Sequence, residues 1–225
     1  MPDMPINFPT LVASSIHDIK NSLSTVRELI SQITANQQNS SSPEFTQLEL
    51  ETVKMNNHLI QLLELYKIDS DKFNLMIDEY SALDILQEIE AQHAPTLQLN
   101  NINLTIKCSD DLYCYCDYRH ICNALSNIVN NALRYTNTQI CISAYKEKQY
   151  IVFCVEDDGQ GYLEQILSGN SIQTVSPVNT PNNTGLGIHF VATIASLHTA
   201  KDDKGFITTD NNSSLGGARF CLFLP

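Results

Sequence analysis

Two apolar stripes with a helical seven-residue rhythm constrain this chain more than any other feature. Ile16, Ile19, Leu23, Val26, Ile30 and Ile33 recur at steps of three and four between Leu11 and about Ala35, which draws a narrow seam down one face of a helix. The polar run that follows ends at Ser42 and Pro43, a residue suited to cap a helix and a ring whose fixed φ suits its first turn. Leu48, Thr52, Met55, Leu59, Leu62 and Tyr66 then repeat the spacing as far as Asp69. Two such helices fold back as an antiparallel α-helical hairpin that cannot cover its own stripes. Burying both seams calls for a second copy, giving a homodimer built on a four-helix bundle.

The period breaks around Asp69, Ser70, Asp71 and Lys72, so the spacing predicts a helical domain over 1–69 and a second domain over 70–225. In that second part Phe73, Leu75 and Ile77 predict a strand. Ser81, with Asp84 three residues later, predicts a capped helix that ends near His93, because Pro95 disfavours going further. Alternating strands are expected at 102–108, 112–116, 139–145, 149–156, 205–209 and 218–224, and helices at 118–135 and 187–198. This order predicts an α/β sandwich.

The chain carries 25 acidic and 13 basic residues, a formal charge of −12. Such a surface repels phosphate backbones and anionic lipid, which argues against nucleic acid as a partner. No run approaches the ~18 apolar residues of a membrane span, and the start lacks a basic, apolar secretion signal. A cytoplasmic protein without a membrane segment is expected. Seven cysteines lie mostly in apolar, strand-like stretches, which predicts reduced and buried thiols. Cys114 and Cys116 form a C-x-C pair without a second spaced pair, so one buried face of a strand is favoured over metal ligands.

Several residues carry possible chemistry. Ile16 and Ile19 lie in the seam, which sets His17 on its solvent flank and Asn21 one turn later on the same face. A neutral imidazole is a nucleophile near pH 7, and Asp18 can orient one ring nitrogen while the other attacks. Asp157, Gly159 and Gly161 follow a strand, where a carboxylate can accept an amino proton and glycines allow a tight turn. Gly185, Leu186 and Gly187 precede a helix, whose N–H groups and positive end can hold phosphate. Taken singly, each pattern also fits an ordinary surface, turn or helix entry.

Together and in this order they resemble the sensor histidine kinases. His17-Asp18-Ile19-Lys20-Asn21-Ser22-Leu23 resembles the H box, with Lys20 where arginine is frequent and Ser22 where proline is frequent. Asn127-Ile128-Val129-Asn130-Asn131-Ala132-Leu133-Arg134-Tyr135-Thr136 resembles the N box. Asp157-Asp158-Gly159-Gln160-Gly161 and Asn183-Thr184-Gly185-Leu186-Gly187 resemble the two glycine boxes, with Asn183 in place of a leading glycine.

The resemblance implies a Bergerat-type ATP-binding domain. It implies Asn131 as the Mg2+ ligand, Asn127 as its support, Arg134 as a phosphate contact, Tyr135 as a flank for the adenine and Asp157 as its reader. It also implies phosphorylation of His17 from ATP and transfer to an aspartate on a response-regulator receiver domain. A phosphatase role is implied through Asn21. Between Leu163 and Thr184 there is no lysine, arginine or phenylalanine, unlike the corresponding lid of active members. That keeps open an alternative, a histidine phosphotransferase or phosphatase partner with weak or lost kinase activity.

Overall fold

The structure, a computed structural model, describes residues 43–69, 74–162 and 186–225, together with the helical positions 19, 23, 24, 26 and 28. The chain separates into two compact units, residues 1–73 and 74–225.

In the first unit, helix α1 spans Pro43–Asp69. Its predicted stripe divides in two. Thr52 is buried, its hydroxyl donating back to the Leu48 carbonyl at 2.8 Å, and Leu59 and Tyr66 are half-buried. Leu48, Met55 and Leu62, seven residues apart, are 47%, 54% and 41% exposed, as Ile19 and Val26 are at 50% and 40%. The same helix therefore shows an apolar row to solvent. The seam positions 16, 30 and 33 lie outside the described residues.

The second unit begins with residues 74–77 in irregular conformation, where a strand was expected; Phe73 lies outside the described residues. Strand β1 comes later, at Asp78–Ser81, and pairs antiparallel with β3, Tyr113–Cys116. Helix α2 covers Ala82–Leu99, with Ser81 accepting from the Asp84 N–H as expected. It runs through Pro95 rather than stopping at His93. A proline inside a helix costs about 3 kcal/mol. Ending the helix at residue 93 would leave Leu97, now 6% exposed, without its place in the core, and Asn100 closes the helix instead through its bond to the Thr96 carbonyl.

Strand β2 (Asn103–Lys107) lies parallel to β4 (Gln139–Glu147), and helix α3 (Tyr118–Tyr135) forms part of the long connection such pairing needs. Strand β5 (Tyr150–Asp157) follows, then helix α4 (Leu186–Leu197), the short pair β6 (Thr199–Ala200) and β7 (Asp203–Lys204), and strands β8 (Phe206–Asp210) and β9 (Arg219–Leu224). The main sheet runs β2-β4-β5-β9-β8, antiparallel apart from β2 with β4. Helices α2 and α4 both pack against α3, and all three pack on the sheet. This is the expected α/β sandwich.

Period-two alternation fixes which side chains meet. Phe153 opposite Leu222 and Val155 opposite Phe220 join Ile140, Ile142, Leu125, Phe190 and Ile194 in the core. On the other face Cys154 stands directly opposite Cys221, with Cα atoms 4.2 Å apart, and the two form a disulfide packed against Val152, Tyr150 and Phe223. This corrects the expectation of reduced thiols at these two positions. Their pairing is a property of strand register, invisible across a separation of 67 residues. Cys108, Cys114, Cys116, Cys122 and Cys141 are free, and Cys114 and Cys116 share one buried strand face. No group of three metal-ligating side chains occurs among the described residues.

Candidate functional site

Helix α3 is built as an amphipathic rod. Asp117 caps it, accepting the His120 N–H at 3.1 Å, while Ile121, Ala124, Leu125, Ile128, Val129 and Ala132 are buried. Asn127, Asn131, Arg134 and Tyr135 fall at steps of four, three and one, so they share the opposite flank. Asn127 and Asn131 are half-buried, Arg134 is exposed, and Tyr135 is 52% exposed. No hydrogen bond to the Asn131 side chain forms among the described residues. Asn127 donates to the Asn123 carbonyl at 3.0 Å. Gly187, at the start of α4, lies beside it: a Cβ added there would stand 3.9 Å from Asn127 Oδ1. The helix that resembles the N box and the entrance of α4 thus meet in space.

The far ends of α3 and α4 are also tied. The Asp117 N–H donates to His198 Nε2 at 3.0 Å, and His198 Nδ1 donates to the Ile194 carbonyl at 2.8 Å. Burial holds the His198 ring below its ordinary range, against the pull of Ile194 and Asp117 in the other direction. Neutral His198 is the form that can accept from Asp117. Asp117 Oδ2 takes the Met76 N–H at 2.9 Å, so this cap also anchors the start of the unit.

Asp157 ends β5, 5% exposed. Its Oδ1 accepts the Gly159 N–H at 2.9 Å and the Ala218 N–H at 3.1 Å. Its carbonyl receives the Gly217 N–H at 3.0 Å and the Ser213 hydroxyl at 2.9 Å. One carboxylate oxygen is therefore spent on orientation, and Oδ2 has no partner among the described residues. That oxygen is not among the buried unpartnered side-chain atoms of the described residues, so it remains open to an incoming donor. Gly159 is required by packing, since a Cβ there would stand 2.2 Å from the Tyr135 carbonyl oxygen. Gly161 has φ +77°, the left-handed region that favours glycine.

Several contributors were not singled out by the sequence. Asn211 clamps the Tyr162 backbone on both sides, accepting its N–H at 2.7 Å and donating to its carbonyl at 2.9 Å. Burial raises the Tyr162 hydroxyl well above its usual range, with Asp157 and Asp210 adding to it. Gly217 closes over Asp157, and Asp158 binds the turn after α3. The Gly-Gly pair ahead of the last strand and the doubled Asp were the available signals. His17, Asp18, Asn21 and Gly185 lie outside the described residues, as does the side chain of Leu186.

Residues 116–225 match the family described as histidine kinase-, DNA gyrase B-, and HSP90-like ATPase. Among curated proteins, the chain is 35% identical over 107 residues to the sensor histidine kinase CpxA of Escherichia coli K12, a match covering 46% of this chain and 22% of CpxA. It is 25% identical over 178 residues to the signal transduction histidine-protein kinase AfsQ2 of Streptomyces coelicolor, covering 78% of this chain and 31% of the relative. Thus it spans less than a third of the length of these two proteins. Among solved structures, the histidine kinase AdeS of Acinetobacter baumannii has a TM-score of 0.63 at 18% identity, over 92% of this chain and 96% of that one. Full-length ShkA in complex with AMPPNP has a TM-score of 0.71 at 16% identity, over 96% of this chain and 46% of that one. At these identities the structures establish the fold. The family match and the kinase relatives, on this fold, support a histidine kinase catalytic core.

Proposed function

We propose that this chain is a homodimeric, ATP-dependent protein histidine kinase that phosphorylates His17 and passes the phosphoryl group to an aspartate of a response-regulator receiver domain. The observation that carries the reading is Asp157: a buried carboxylate with one oxygen fixed by two backbone N–H groups and the other without a partner among the described residues. An adenine amino group supplies the donor that Oδ2 lacks. Tyr135 flanks the base, Arg134 faces the phosphates, and the entrance of α4 at Leu186 and Gly187 offers backbone N–H groups to them, with Gly185 assigned to the same role by its place in the motif. Gly161 lets the chain turn away beside the base.

The donor set beside the phosphates fits Mg2+. Amide oxygens are hard ligands that suit this ion, and Asn131 is half-buried next to Asn127, whose Oδ1 lies at Gly187. When bound, Mg2+ neutralises charge that builds on the transferring phosphoryl group. Asn131 is the ligand and Asn127 its support.

In the reaction a His17 ring nitrogen attacks the γ-phosphorus, the bond to the β-phosphate oxygen breaks, and ADP leaves. Asp18 holds the other nitrogen and stabilises the cation that forms. The exposed row Leu48, Met55 and Leu62 supports the dimer, since a second copy would cover it. The lid without lysine, arginine or phenylalanine favours slow phosphorylation, and with it a second activity in which Asn21 positions water to dephosphorylate the regulator. Purified chain incubated with γ-labelled ATP and Mg2+ should acquire acid-labile label, and His17→Gln should not. Label that persists in His17→Gln would show the acceptor to be wrong.

A further inference from the structure

The residue next to Asp157 has no part in the chemistry above, yet it gathers more hydrogen bonds than any other carboxylate among the described residues of the second unit. Asp158 Oδ1 accepts the Thr136 hydroxyl at 2.6 Å and the Asn137 N–H at 2.8 Å. Oδ2 accepts the Thr138 N–H at 3.0 Å and the Thr138 hydroxyl at 2.8 Å. The Asn137 side-chain amide donates to the Asp158 carbonyl at 2.6 Å. Three consecutive residues thus wrap one carboxylate.

Those three residues join α3 to β4. Thr136 is the residue at which α3 ends, its N–H still bonded to the Ala132 carbonyl at 2.9 Å. Tyr135 precedes it, and its carbonyl oxygen is the atom against which Gly159 packs. On the other side, the Thr138 carbonyl accepts the Asn103 N–H at 2.8 Å, fixing the turn to β2. Two pieces proposed to face one nucleotide, the Asn131–Tyr135 flank and the Asp157–Gly161 turn, come from different elements. The contacts of Asp158 are the polar link between them.

We propose that Asp158 is a positioning residue for adenine recognition: it locks the end of α3 to the strand end that bears Asp157, without meeting the base. The inference rests on the nucleotide reading given above. A neutral side chain cannot satisfy all of these donors, and a missing one satisfies none. Burial alone would raise the carboxyl, but the Thr136 and Thr138 hydroxyls and the backbone N–H groups of Thr138 and Gln139 hold it far below the usual range, so it is ionised at every working pH. The donors around it are largely exposed, so water can replace the carboxylate without unfolding the domain, and what is lost is the relative placement of the two pieces.

The test uses ADP and inosine diphosphate, which lacks the 6-amino group that Asp157 is proposed to read. Dissociation constants are measured by titration calorimetry on the full chain. Wild type should prefer ADP. Asp158→Ala should weaken ADP by about tenfold and inosine diphosphate by less, so that the preference shrinks. Asp158→Asn keeps the Oδ1 acceptor but turns an N–H toward the Thr138 amide, and should fall between the two. Thr138→Val, which removes one donor at nearly constant volume, should shift the preference in the same direction and decides the matter if Asp158→Ala does not fold. A preference unchanged in these variants, or both ligands weakened equally, overturns the positioning role while leaving the nucleotide site standing. Wild type that binds neither ligand overturns the site itself, and the inference with it.

Discussion

Gly217 gives the most direct handle on Asp157. A methyl group placed there would stand 2.4 Å from Asp157 Oδ1, 2.5 Å from the Asp157 carbonyl oxygen and 2.5 Å from the Gly159 nitrogen. Contacts of this kind are not found below 3.0 Å, so Gly217→Ala must displace the strand end or the turn by at least 0.6 Å. Two of the three atoms are backbone, and no side-chain rotation relieves them. Overpacking of this kind costs about 1–3 kcal/mol. A hydrogen bond to a charged acceptor is worth about 1.5–3 kcal/mol. Losing the proposed adenine contact should therefore raise the ADP dissociation constant roughly 10- to 150-fold. Gly216 is the internal control. It has φ +94° and nothing within 4 Å of an added Cβ, so Gly216→Ala carries a backbone cost of about 1–2 kcal/mol and no clash. Titration calorimetry with ADP, alongside thermal unfolding, separates the two: Gly216→Ala should lose stability and keep affinity, whereas Gly217→Ala should lose both. Wild-type ADP affinity in Gly217→Ala would refute the placement of Asp157 in the site.

Two further outcomes follow from the packing. His93 and His198 are both held below their ordinary range by burial, so the unfolded chain takes up protons that the folded domain resists. Stability should be full above the unfolded histidine value of 6.5 and should fall as pH drops below it; a thermal midpoint unchanged between pH ~8 and pH ~5.5 would remove these rings as the cause. In the first unit, Met55→Glu puts a charge in the middle of the exposed row. A buried unpaired charge costs about 3–5 kcal/mol, so sedimentation should show a dimer for wild type and a monomer for the variant at equal concentration, and a variant that stays dimeric would place the interface elsewhere.

Period and capping make most of the second unit legible in the amino-acid sequence. The helix predicted over 118–135 spans those residues because a single amphipathic pattern, a capping Asp117 and a polar stretch after Tyr135 all agree. The misses are local. Alternation at Phe73, Leu75 and Ile77 points to a first strand there, but β1 forms at Asp78–Ser81, where the partner is β3 and pairing overrides side-chain pattern. Pro95 signals a stop, and burial of Leu97 carries the helix past it. The Cys154–Cys221 bond depends on register between β5 and β9, which the sequence does not encode at short range.

The site shows a deeper limit of the same kind. Motif residues announce themselves by spacing because, in the function proposed above, each must present a particular atom: Asp157 an acceptor, Gly161 a left-handed turn, Asn131 an amide oxygen. The groups that hold them need only supply a donor or leave room, and many residue types at many positions could do so. Gly217 leaves room, Asn211 substitutes for a neighbouring strand, and Asp158 ties a turn; none has a spacing rule, since each acts across 20 or more residues of chain. Their roles appear only once the ends of α3, β5 and β9 are seen side by side. It follows that substitutions at these three positions should damage recognition more than their plain appearance in the sequence suggests, and that motif matching alone underestimates how much of the domain makes up the site.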